Sequence, residues 1–143
     1  MTKRIFRSIF YVSLLLIVSF SLVLLAFLSE YTENAQKKAM YLEMTYLQKG
    51  VEMQGISYLE QLQKNQQRVT WIGADGIVLF DSVADVANME NHLQREEVQE
   101  ALQIGRGESS RISKTLAEKT ENVAVRLQDG SVLRVSETTW SAG

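Results

Sequence analysis

The chain has 143 residues, a formal net charge of −2, and neither cysteine nor proline. That length allows one domain of about 100 to 150 residues with an appendage. The weakly acidic balance gives no electrostatic footprint for nucleic acid, and the lack of cysteine excludes disulfides, thiolate nucleophiles and Cys-ligated zinc.

Residues 8–29, SIFYVSLLLIVSFSLVLLAFLS, carry no charge. At about 1.5 Å of rise per residue, a helix of this length matches the ~30 Å hydrocarbon core of a bilayer. A cleaved signal peptide has an apolar region of only about 7 to 15 residues ending in a small-x-small site. The exit Leu25-Ala26-Phe27-Leu28-Ser29 offers no such site, so an uncleaved anchor is expected. Lys3, Arg4 and Arg7 precede the span, Glu30 and Glu33 follow it, and Lys37 and Lys38 come further out. Basic residues favour the cytoplasmic side, which predicts a cytoplasmic N-terminus and an extracytoplasmic remainder in the cell membrane.

Beyond the span, Met40, Met44, Leu47, Val51, Gly55, Tyr58 and Leu62 recur at steps of three and four, the spacing of one helical stripe. Polar Glu43, Gln48, Lys49, Glu52 and Gln54 lie between them, so a single amphipathic helix is expected to run to about Asn65. Gly50 and Gly55 each cost such a helix up to ~1 kcal/mol relative to Ala, so packing must compensate. The stripe serves equally for packing on the chain's own domain and for pairing with a second copy.

The segments 68–82, RVTWIGADGIVLFDS, and 123–136, VAVRLQDGSVLRVS, each set Asp-Gly between apolar runs. This is a strong hairpin signal, because glycine takes a positive φ without a Cβ clash. In the second segment a three-residue loop, Gln128-Asp129-Gly130, opposes Val125 to Leu133 and Val123 to Val135. It sends Arg126 and Arg134 to the other face. The same loop in the first segment opposes Trp71 to Leu79 and Ile72 to Val78, giving a strand pair apolar on both faces and covered on two sides.

Between the hairpins, residues 81–91 are polar and irregular. Residues 95–103 predict a short helix with Glu96 and Glu97 in its positive first turn, Val98, Ala101 and Leu102 on its apolar side, and Gly105 as C-cap. A strand is expected over 109–113. Long helix, hairpin, short helix, strand and hairpin make an α+β chain with a five-stranded antiparallel sheet.

No catalytic constellation accompanies these elements. The single histidine, His92, has only scattered carboxylates near it in sequence, and a metal site needs three or four converging ligands. A hydrogen-bonding or capping role is expected for His92, and no metal or cofactor is expected. No Gly-x-Ser-x-Gly elbow occurs, and Gly105-Arg106-Gly107 lacks the third glycine of a dinucleotide fingerprint.

Taken in order, Asp81-Ser82, Asn91-His92, Arg95, Gly105-x-Gly107, Arg111 and Ser113 resemble the extracytoplasmic sensor region of bacterial two-component sensor histidine kinases of the phosphate-regulon sensor type. The resemblance covers nearly the whole chain, including the basic tip and the first transmembrane helix. It implies a PAS-like or Cache-like fold, a homodimer, and a pocket over the central sheet that receives a small-molecule or envelope ligand. Carried over position by position, that region includes Phe80, Asp81, Ser82, His92, Arg95 and Arg111. Turn, cap and fold-determining roles are the competing expectation for the same residues.

The expected organisation is a cytoplasmic tip and transmembrane helix (1–29), a stalk helix (30–66), a sensor domain (67–139) and the start of a second span (140–143). The family's phosphoacceptor motif pairs His with a nearby Pro, and this chain has no Pro. The expectation is therefore a signal-input module without a kinase core, itself no enzyme, whose partners are the lipid bilayer and a second copy, with no nucleic acid. The alternative is a free-standing membrane-anchored adaptor that binds a partner through a sheet edge or the stripe helix.

Overall fold

The computed structural model describes residues 1–62, 67–113 and 115–140. The predicted end of the stalk helix near Asn65 and residues 141–143 of the expected second span lie outside the described residues. The chain divides into two compact units, Met1–Lys38 and Ala39–Gly143.

Helix α1 (Thr2–Gln54) supplies all of the first unit's regular structure. It is long and apolar enough to cross a membrane. Apolar side chains such as Leu15, Phe20 and Leu25 are exposed on it, as a lipid-facing helix requires.

The second unit is an α+β domain. Its strands are β1 (Arg68–Ile72), β2 (Val78–Asp81), β3 (Arg106–Ser113), β4 (Glu118–Arg126) and β5 (Val132–Trp140), antiparallel in the order β2-β1-β5-β4-β3. Short helices α2 (Ile56–Gln61) and α3 (Glu96–Ile104) and a 3-10 turn (Val86–Asn88) complete it. The predicted strand over 109–113 starts three residues earlier, directly after Gly105. That residue ends α3 in a left-handed conformation, φ 97°.

The second hairpin has the expected register, Val123 opposite Val135 and Val125 opposite Leu133. Leu127 N–H donates to Ser131 O (2.7 Å) and Gly130 N–H to Leu127 O (3.1 Å), with Gly130 at φ 88°. The first hairpin has the same three-residue loop, closed by Gly73 N–H to Ile77 O (2.8 Å), and Ile72 opposes Val78. Trp71, however, opposes Phe80 and not Leu79, because β2 carries a bulge there. The extra residue turns Leu79 outward and lets Phe80 join Trp71 on one face while Val78 and Asp81 are buried on the other.

The stalk is not one helix. Met40, Met44, Leu47 and Val51 are buried on α1 as the stripe predicts, but the helix breaks at Gly55, φ 66° and ψ −146°. The turn folds α2 back so that Tyr58 lies on Gly50, where a Cβ would meet the ring at 2.1 Å, and Leu59 enters the core. The two glycines are thus the seat and the hinge of this packing rather than a cost within a straight helix.

The sheet is covered on both sides. One face packs Val69, Val123, Leu127, Leu133 and Val135 against the α1 stripe. Each fully buried aliphatic side chain of this kind stabilises the fold by about 1.5–3 kcal/mol. On the other face Ile72, Val78, Ala124 and Val132 meet Val98 and Ala101 of α3. Further along this second face the buried residues become polar, and the site lies there.

Candidate functional site

The second face is lined by the alternate residues of β1, β4 and β5 that do not point at α1. In β5 these are Arg134, Ser136 and Thr138, opposite Ala124, Asn122 and Thr120 of β4. Arg134 is 6% exposed. A guanidinium in that position must be paired, because desolvating a charge costs several kcal/mol. Its Nη1 donates to Glu97 Oε1 (3.1 Å) and its Nη2 to Thr70 Oγ1 (3.2 Å). Its Nε is buried and has no hydrogen-bond partner among the described residues.

Glu97 is equally enclosed, at 0% exposure on the first turn of α3. Ser109 donates to its Oε2 (2.7 Å), and Arg111 Nη2 lies 3.4 Å from the same oxygen. Burial alone would raise this carboxyl; the bonds from Ser109, its own backbone N–H and Arg134 outweigh that and hold it below its ordinary range. Gly107 makes the approach possible: a Cβ there would lie 2.2 Å from the Glu97 backbone oxygen. The Gly-x-Gly pair therefore first ends α3 and then lets it close onto β3.

The network continues on both sides of this pair. Asn122 donates to Ser109 Oγ (3.2 Å) and accepts from Ser136 Oγ (2.6 Å). Toward the other edge Thr70 donates to Asp81 Oδ2 (2.8 Å), and Arg68 grips Asp81 through Nε (3.0 Å to each oxygen) and Nη2 (3.0 Å). Asp81 also accepts from the backbone N–H groups of Val83 and Ala84 (2.9 and 2.8 Å). Burial would raise its carboxyl, but the Arg68, backbone and Thr70 bonds together hold it low.

A cleft of about 300 Å³ opens over this network. Arg68, Arg95, Arg111 and Arg134 line it together with His92. Asn122, Ser136, Thr120 and Thr138 of β4 and β5 form its polar floor, and Met89 also lines it. His92 is held there by the first Asp-Gly turn. Its backbone N–H donates to Gly76 O (2.8 Å), Asn91 Nδ2 donates to Asp75 O (3.0 Å), and a Cβ on Gly76 would lie 2.2 Å from Asn91 Oδ1. His92 Nδ1 lies 2.8 Å from the Glu90 carbonyl, which can only accept, so Nδ1 carries the proton in the neutral ring. Burial, followed by the charge of Arg134, pushes the imidazole pKa down.

Of the six residues the sequence singled out, His92, Arg95 and Arg111 line the cleft together. Asp81 lies behind it and orients Arg68. Ser82 accepts from Val69 N–H (2.9 Å) and fixes the β1–β2 edge. Phe80 is on the opposite face, packed on the α1 core, because the bulge at Leu79 rotated it there. Sequence reasoning missed Arg68, Glu97, Asn122, Arg134 and Ser136 as site residues. The signal for Arg134 was present, since the hairpin register put it on the non-apolar face; what was lacking was that α3 covers that face.

No protein-family model matches the chain, and no curated protein sequence matches it.

Proposed function

We propose that the chain is the signal-input module of a membrane-bound two-component sensor histidine kinase. In this reading α1 is the first membrane span, the N-terminus is cytoplasmic, and the sheet domain is a PAS-like extracytoplasmic sensor that works as a homodimer. The observation that carries the reading is a polar cleft built on one face of a sheet whose other face packs on α1, the helix that also contains the apolar segment. Ligand entry that shifts the sheet changes the packing of Met40, Met44, Leu47 and Val51. The signal is then a population shift between two packings of that helix.

The test is the reading frame beyond Gly143. A second apolar span followed by a His-Pro phosphoacceptor helix and an ATP-binding domain supports the sensor. A frame that closes without them overturns it and favours an anchored adaptor. For the adaptor the relevant surface is the β2 edge, where Ile77, Leu79 and Val83 are exposed.

A further inference from the structure

We infer that the cleft over β4 and β5 binds a small multivalent oxyanion, a di- or tricarboxylate or a phosphate-type ion. As a stimulus this deepens the sensor reading above and rests on it; as a binding site it stands on the cleft's own chemistry.

Four guanidinium groups line the cleft, and the two carboxylates that partner them are Asp81 and Glu97. His92 is pushed toward neutrality, so the surplus is two positive charges in a cavity of about 300 Å³. Evolving a purely structural network would need no such surplus, since each unneutralised cation near a buried site raises the cost of the others. Donors are left over at Arg134 and Arg95 among the described residues. Arg134 Nε is buried and has no partner among the described residues, and a buried donor without a partner costs about 1–3 kcal/mol until something accepts from it. Arg95, at the head of α3, makes no side-chain hydrogen bond or ion pair among the described residues, yet lines the same space.

The remaining chemistry selects the ligand type. Guanidinium forks match the paired oxygens of carboxylate and phosphate, and several of them on one cavity reward a ligand with more than one anionic group. Asn122, Ser136, Thr120 and Thr138 add hydroxyl and amide contacts, while the lining has a single apolar side chain, Met89. The volume stands at the lower end of small-molecule sites and matches a ligand of metabolite size.

The experiment is isothermal titration of the full chain in phosphatidylcholine nanodiscs at fixed ionic strength. The probes are citrate, succinate, inorganic phosphate and sulfate, with glucose as a neutral control. Saturable one-site binding of at least one anion with Kd below about 1 mM is expected, and none of glucose. Arg95→Ala, which removes no contact of the network, should weaken that binding tenfold or more, as should Arg111→Gln. Preference for citrate or succinate identifies a carboxylate ligand, and preference for phosphate or sulfate a tetrahedral one. Absence of saturable binding by all four anions overturns the inference, and so does binding that neither substitution weakens. Anion binding combined with a downstream frame lacking a kinase leaves the site standing and removes only the sensor reading.

Discussion

Leu133 and Val135 point toward α1, and Arg134 and Ser136, one step along the same strand, point toward α3; all four are buried. The two faces of β5 are held by different physics. Against α1 the gain is proportional to apolar area removed from water, and each side chain contributes nearly independently. Toward α3 each charge is tolerated only because a partner is in place, so Arg134, Glu97, Thr70, Asp81 and Arg68 act as one unit. Burial by itself therefore does not mark a core: one face is built to exclude water, and the other is built to hold charge near a cavity.

The largest expected effect separates the faces most sharply. Glu97→Ala leaves Arg134 buried without its carboxylate and should cost about 3–5 kcal/mol. Urea unfolding in detergent, followed by the emission of Trp71, which packs on the α1-side core, measures it. The double variant Glu97→Leu with Arg134→Met should recover most of the loss, because two apolar groups need no pairing. If the double variant is as unstable as the single one, the cost is in packing rather than in an orphaned charge.

Leu133→Ala should cost about 2–5 kcal/mol by emptying space in the apolar face. No partner substitution of polar type should rescue it, and anion affinity in the surviving folded fraction should stay within twofold of the parent. Loss of affinity equal to that of Arg95→Ala would show that the two faces are not separable. Gly107→Ala is expected to cost less, about 1–3 kcal/mol, by pushing α3 off β3 through the Glu97 backbone oxygen. Its effect should fall on the charged side, lowering anion affinity, while the thermal unfolding signal of Trp71 remains cooperative.

The acid limb of stability sharpens the same contrast. Asp81 and Glu97 have folded pKa values held below their ordinary 3.8 and 4.5. The unfolded chain therefore takes up protons before the folded one does. Their contribution is fully present above the ordinary values and is lost as the pH falls through the depressed ones. Leu133→Ala should lower the whole stability curve without changing its slope in this range. Asp81→Asn and Glu97→Gln should flatten it, and an unchanged slope in both would place the acid sensitivity elsewhere.

Much of the fold was legible in the sequence because hydrophobic period and turn chemistry are local signals. The register of the second hairpin follows from Gly130 at the end of a three-residue loop, and the α1 stripe from spacings of three and four. Two features escaped for the same reason. The bulge at Leu79 and the break at Gly55 are settled by tertiary packing, of Phe80 and Trp71 on the α1-side core and of Tyr58 on Gly50 and that same core. The site was half legible. His92, Arg95 and Arg111 stand in the series of residues that carries the family resemblance, whereas Arg68 and Arg134 belong to the polar and apolar alternation of strands, which does not show what covers their face. Only the cover supplied by α3 turns that alternation into a buried charge network.

The smallest expected effect links the cleft to pH. His92 faces Arg134, Arg95 and Glu97, shares the cleft with Arg68 and Arg111, and donates a hydrogen bond from Nδ1–H to the Glu90 carbonyl. Burial first and the charge of Arg134 second keep its folded pKa below the ordinary 6.5. A bound anion offsets the arginine charges and moves that pKa up again, so Nε2 gains a proton as the anion enters. Linkage then fixes the sign: affinity rises as the pH falls through the bound-state pKa, and levels off below the free-state one. Titrating sulfate, whose charge is constant in this range, from about pH 7.5 to about pH 5.5 should tighten binding a few-fold, with a ceiling of tenfold per pH unit for one proton. His92→Asn keeps a donor for the Glu90 carbonyl and should make the affinity independent of pH. A pH dependence that survives this substitution would assign the proton to a group outside the cleft and would leave the arginines alone as the anion's partners.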